Sequence, residues 1–128
     1  MRKGKAMTQP PAPRGPSLLV VEHSPAIRRL FNVVLRDVAG QIFTASDPDV
    51  ARGILENEPI DVVVLEPQWA NGLSWSLLDE LVAMDIPAVV VTSRADEEVL
   101  EEAARRGAAA ILTKPFLSTE LVAAITRL

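Results

Sequence analysis

From residue 17 onward, short unbroken apolar runs alternate with stretches in which apolar residues recur every three or four positions. Residues 18–21 form the first run, closed by Glu22 and His23. A run with no polar alternation predicts a strand buried on both faces. Ser24 and Pro25 then supply an N-cap and a first-turn proline, followed by Ile27, Leu30, Phe31, Val34 and Leu35 at helical spacing. Gly40 ends this helix, residues 41–45 read as a short second strand, and Ser46 or Asp47 caps a helix through Val50, Ile54 and Leu55. Residues 60–65 are a third strand that again ends in an acid, Glu66. The segment 67–73, with Pro, Asn and Gly, predicts a loop before a helix marked by Leu77, Leu78, Leu81 and Val82. Residues 87–91 predict a fourth strand ending in Thr92 and Ser93. A helix over 95–106 follows, with Val99, Leu100, Ala103 and Ala104 facing inward, acids early, Arg105 and Arg106 late, and Gly107 as C-cap. Residues 108–113 are the fifth strand, then come Lys114, Pro115 and a last helix through Leu121, Val122 and Ile125.

Five strand–helix units with crossovers this short require parallel strands, right-handed connections and helices on both faces of the sheet. The predicted fold is doubly wound α/β with a five-stranded parallel sheet. In such sheets the functional crevice lies beyond the carboxyl ends of the strands. The residues predicted there are Glu22, His23, Glu66, Thr92, Ser93 and Lys114.

Composition narrows the chemistry. The 128 residues fit one compact domain, and mean hydropathy is +0.20 with 48% hydrophobic residues, as in a folded chain with a generous core. There is no cysteine and a single histidine, His23, which excludes disulfides, thiolate catalysis and cysteine- or multi-histidine metal sites. No apolar run is long enough to span a bilayer and no signal-peptide core is visible, so the expected location is cytoplasmic. The net charge of −4 hides a division: residues 1–16 carry Arg2, Lys3, Lys5 and Arg14 with no acid, whereas residues 17–128 hold nine basic and seventeen acidic residues. Residues 1–16, with four prolines and little to bury, are expected to form a flexible basic tail ahead of a domain over 17–128. It is either a plain extension or an electrostatic tether. The acidic domain argues against nucleic-acid binding.

Two carboxylates beside an ammonium and a hydroxyl can together hold a divalent cation and a phosphoryl group. Neither GxGxxG nor GxxxxGK[ST] occurs, which removes the main support for dinucleotide or P-loop nucleotide binding. The chain resembles the receiver domains of two-component response regulators, most closely the stand-alone, chemotaxis-type kind. The carriers are LLVVEH with SPAIRRL, DVVVLEP, IPAVVVTS and GAAAILTKPF, spread over about residues 17–128. The resemblance implies a flavodoxin-like (βα)5 fold. It also implies an acidic pair for Mg²⁺ after strand one, a phosphoaccepting Asp after strand three, and a Thr and a Lys that respond to the phosphate.

Thr92 and Lys114 match that pattern, but Glu66 stands where the family has its Asp, and Glu22 with His23 where it has two acids. A glutamate places its carboxylate about 1.5 Å further out, and in-line attack tolerates much less displacement than that. His23 removes a hard oxygen ligand from the cation site. Ile111 occupies the position of the family's aromatic switch, and the segment PQWANG after Glu66 implies a rebuilt loop around Trp69. These departures predict weak or absent Mg²⁺ binding, no bound cofactor and no enzymatic activity. The expected molecule is a degenerate receiver that acts by protein–protein contact, with Glu66 reaching toward Lys114 and Thr92 as a permanent charge-assisted contact. Its expected partner is a histidine kinase or another signalling protein. The expected docking surfaces are strand five with its flanking helices, or helix one with Arg28 and Arg29. Two other readings stay open: a phosphorylatable receiver in a phosphorelay, and a pH, metal or small-ligand sensor using the altered pocket. His23 reads as a surface group, a pH-sensitive latch or a metal ligand. Trp69 and Trp75 read as packing residues or as partner anchors.

Overall fold

The computed structural model describes residues 15–128. The tail expected over 1–16 lies outside the described residues except for Gly15 and Pro16. The elements run β1 (Ser17–Val21), α1 (Pro25–Leu35), β2 (Gln41–Ala45), α2 (Pro48–Asn57), β3 (Val62–Leu65), β4 (Gln68–Trp69), β5 (Gly72–Leu73), α3 (Ser76–Ala83), β6 (Ala88–Thr92), α4 (Glu97–Arg105), β7 (Ala110–Thr113) and α5 (Ser118–Thr126). Five strands form one parallel sheet in the order β2-β1-β3-β6-β7. This is the doubly wound architecture that the alternation of apolar runs and helical periods predicts.

The strands lack polar alternation because both faces of the sheet are covered. Leu19, Val21, Val63, Leu65 and Val90 point to one face, where Ala51, Leu77, Leu78, Leu81 and Ala103 from α2, α3 and α4 close over them. Leu18, Val20, Val62, Val64, Val89 and Val91 point to the other, against Phe31, Leu35, Leu121 and Ile125 from α1 and α5. Phe31 stacks on Phe116, ring centroids 5.4 Å apart, and joins α1 to the segment entering α5.

Local signals place the helix starts. Ser24 caps α1 by accepting from the Ile27 N–H, and Asp47 rather than Ser46 caps α2, accepting from the Val50 N–H. The N-cap of α4 is Asp96, and the helix begins at Glu97 rather than at residue 95. Four apolar positions assigned inward by spacing face solvent: Leu30 at 44%, Val50 at 45% and Val82 at 45% exposure, and Ala104. Each sits at the margin of its helix's apolar stripe, where the sheet no longer reaches.

The segment after Glu66 departs most from expectation. Instead of an irregular loop, β4 and β5 form a small antiparallel hairpin, pairing Gln68 with Leu73 and Trp69 with Gly72. Gly72 has φ +114, in the left-handed region that favours glycine, and lets the chain reverse after Ala70 and Asn71. The Ser74 N–H donates to the Pro67 carbonyl and closes the hairpin base. Trp69 is thereby folded against the core at 9% exposure. Among the described residues no helix is long and apolar enough to cross a membrane.

Candidate functional site

The polar residues that interrupt the apolar runs converge at the carboxyl end of the sheet, because parallel strands bring all their last residues to one edge. Glu22 follows β1, Glu66 follows β3, Thr92 ends β6 and Lys114 follows β7. Glu22, Glu66 and Thr92 are buried, at 1%, 3% and 0% exposure. Lys114 Nζ lies between the two acids, 2.5 Å from Glu22 Oε1 and 3.0 Å from Glu66 Oε1. The Lys114 side chain is 17% exposed and is the cation of the cluster.

Two carboxylates against one ammonium leave an excess negative charge, which would be costly to bury unaided. Backbone N–H groups offset it. The Ser24 N–H donates to Glu22 Oε2 at 3.0 Å, the Gln68 N–H to Glu66 Oε2 at 2.9 Å and the Ser93 N–H to Glu66 Oε1 at 3.2 Å. Each is a charge-assisted bond from a loop that follows a strand. Both oxygens of Glu66 are therefore occupied, one by Lys114 and Ser93 and the other by Gln68.

Thr92 is not bonded to Glu66, contrary to the sequence expectation. Its hydroxyl accepts from the Arg94 N–H at 3.0 Å, and the adjoining Ser93 N–H meets the acid instead. The turn after β6 aims its backbone donor inward and uses the threonine oxygen to hold its own shape, as hydroxyl side chains often do in such turns. Arg94 then reaches across to Gln68 Oε1 at 3.2 Å and to Asp96, tying the β6–α4 turn to the hairpin.

His23 stands at the rim, its side chain 57% exposed, with Nδ1 3.4 Å from Glu22 Oε2 and its ring tilted 57° to Trp69 at 5.9 Å between centroids. Ile111, in the middle of β7, lies away from these groups. It packs part-buried against the core shared by α2, α3 and α4. Trp75 is part-buried beside the same core, with the Arg106 guanidinium 5.9 Å from its ring centroid. Arg28, read from the sequence as part of a docking surface on helix one, donates from Nη1 to the carbonyls of Glu22 at 2.7 Å and His23 at 3.1 Å. It holds the β1–α1 turn in the shape that turns the Glu22 carboxylate toward Lys114. A basic residue in the first turn of a helix, facing the strand end before it, was the available signal. The three backbone donors have no sequence signature, because any residue supplies an N–H.

Magnesium demands near-octahedral oxygen ligation, whereas Glu22 is engaged on both oxygens and the next position is an imidazole. Among the described residues no three acidic or histidine side chains are grouped to hold a metal ion.

The model for the response regulator receiver domain matches residues 18–126. The phosphate regulon transcriptional regulatory protein PhoB of Klebsiella pneumoniae is 33% identical over 112 residues, covering 84% of this chain and 49% of that protein. A protein-glutamate methylesterase/protein-glutamine glutaminase of Bradyrhizobium diazoefficiens is 32% identical over 110 residues, covering 80% of this chain and 30% of that protein. The chain thus spans about half the length of the first relative and less of the second. Among solved structures, the signal receiver domain of an HD domain-containing protein from Pseudomonas fluorescens Pf-5 superposes with a TM-score of 0.81 at 20% identity, covering 89% of this chain and 94% of that one. NtrX from Brucella abortus superposes with a TM-score of 0.78 at 30% identity, covering 88% of this chain and 26% of that one. With a parallel five-stranded sheet, an acid–lysine cluster at its carboxyl edge and a family match across nearly all of the described residues, the chain belongs to the response regulator receiver domain family.

Proposed function

We propose that this chain is a degenerate receiver of two-component signalling that works by binding a protein partner, without carrying a phosphoryl group. The observation that carries this reading is the occupancy of Glu66: both carboxylate oxygens are bonded, to Lys114, Ser93 and Gln68, and the side chain is 3% exposed. A nucleophilic carboxylate needs a free oxygen in line with the incoming phosphorus. Here each oxygen is held by groups of the kind that would otherwise bind the phosphoryl oxygens. The longer acid substitutes its own charge for that of a phosphorylated aspartate. The donor set around Glu22 and His23 supports the further expectation of weak or absent Mg²⁺ binding.

Under this reading β7 with α4 and α5, or the outer face of α1, meets a histidine kinase or another signalling protein. The test is intact mass spectrometry after incubation with acetyl phosphate and Mg²⁺, with Glu66→Asp treated in parallel. The expected result is an unchanged mass for the natural chain under conditions that modify a conventional receiver. A stoichiometric gain of one phosphoryl group on the natural chain overturns the proposal in favour of a working phosphorelay receiver.

A further inference from the structure

A cavity of about 460 Å³ opens beside the acid–lysine cluster between the β1–α1 turn, the start of α2 and the β4–β5 hairpin. Its volume falls within the roughly 300 to 1,000 Å³ of small-ligand sites. Its walls include His23, Asp47, Asp49, Arg52, Trp69 and Asn71.

The hydrogen-bond census of these walls is unbalanced. The one permanent cation, Arg52, is already committed: Nε and Nη2 donate to Glu80, Nη1 to Asp49, and Nη2 also to Ser76. The acids keep spare capacity. Asp47 uses Oδ1 to cap α2 and Asp49 uses Oδ1 for Arg52, while among the described residues nothing bonds to the second oxygen of either. The helix start offers little to an anion, since the Val50 N–H is taken by Asp47 and Pro48 has no N–H. An anionic ligand would meet two carboxylates.

A second observation is independent of these acids. Trp69 is nine-tenths buried and lines the same cavity, yet among the described residues no acceptor meets its indole N–H. Buried indoles normally find a partner for that donor. Its ring, with His23 tilted beside it, also forms an aromatic corner of the kind that attracts cations. The complementary ligand therefore carries a cation for Asp47 and Asp49 and, close by, a neutral acceptor for Trp69.

We propose that this cavity binds a basic amino-acid residue, its guanidinium or ammonium group held by Asp47 and Asp49 against Trp69 and its carbonyl accepting from the indole N–H. Two sources supply that chemistry: a free basic amino-acid derivative, or a basic residue within a peptide, including Arg2, Lys3, Lys5 and Arg14 of this chain. Glu66 itself does not line this cavity.

The test follows Trp69 emission in the full chain carrying Trp75→Phe. It is titrated with N-acetyl-arginine amide, with the neutral N-acetyl-glutamine amide, and with a synthetic peptide of the sequence of residues 1–16. The expected result is a saturable change with the arginine derivative or the basic peptide and none with the glutamine derivative. Asp49→Asn is expected to weaken binding by roughly tenfold, the loss of one charge-assisted contact. Asp49 is 95% exposed, so that variant leaves folding intact. Asp47→Asn, which retains a capping side chain, is expected to act in the same direction. Tighter binding of the arginine derivative once Arg2, Lys3, Lys5 and Arg14 are all replaced by Ser supports the proposal and assigns the natural occupant to this chain. Unchanged affinity supports it with a ligand from elsewhere. No saturable change with either basic probe, an equal response to the glutamine derivative, or full affinity in both Asp variants overturns it.

Discussion

Lys114 is the residue on which the site's charge balance depends. It is the cation within reach of both Glu22 and Glu66, and these carboxylates are 1% and 3% exposed. Removing one partner of a buried ion cluster strands the others, at a cost of about 3–5 kcal/mol. Lys114→Met is accordingly expected to lose stability of that order in urea denaturation, and Glu66→Gln in the same background to recover part of it. A loss under about 1 kcal/mol, the value of an exposed pair, would show that the cluster is solvated. The identities and convergence of Glu22, Glu66 and Lys114 were readable from the chain because each follows an apolar run whose strand had to end at one edge of the sheet. The partners of Glu66 were only half readable. Its ion pair with Lys114 follows from charge, but the choice of Ser93 N–H over the Thr92 hydroxyl depends on a turn geometry that leaves no mark in residue type.

At the scale of elements, the main sheet and the five helices were legible because runs such as VVVL and AVVVT admit few other environments. Helix ends and the β4–β5 hairpin were not, since two-residue strands carry no periodicity. Two glycines divide by conformation, and this gives a paired prediction. Gly53 lies inside α2 with nothing within 4 Å of where a Cβ would be. Gly53→Ala is expected to stabilise by about 0.5–1 kcal/mol through helix propensity and a less disordered unfolded chain. Gly107 has φ +101 and a Cβ there would lie 3.2 Å from Val82 Cγ2, so Gly107→Ala is expected to destabilise by about 1–2 kcal/mol. Chemical denaturation of the two variants beside the natural chain measures both, and changes of the same sign would contradict the assignment of α4's end.

Over the whole molecule, surface ion pairs contribute to how stability responds to acid. Hydrogen bonding from Arg52 holds the Glu80 carboxyl below its ordinary value, against a smaller opposing effect of burial. Arg106 and then Arg105 do the same for Glu102, and Arg94 for Asp96. A depressed native value means that the unfolded chain binds more protons. The stabilisation is therefore present above the ordinary carboxylate range and is lost as pH falls through the native values. The melting temperature is expected to fall as pH is lowered from about 6 to about 3, with a shallower fall in Arg52→Gln; these pairs are solvent-exposed, so that difference is small. A melting temperature that rises over this interval would contradict the sign. The two hydrophobic layers are sealed independently on either side of the sheet, and Glu22, Glu66 and Lys114 each sit past the last rung of the strand ladder. Scaffold and tip are thus separable in heredity as well as in space: an acid can lengthen, or a pair lose a member, while no helix changes course. An engineer could rewrite the same few positions without redesigning the interior.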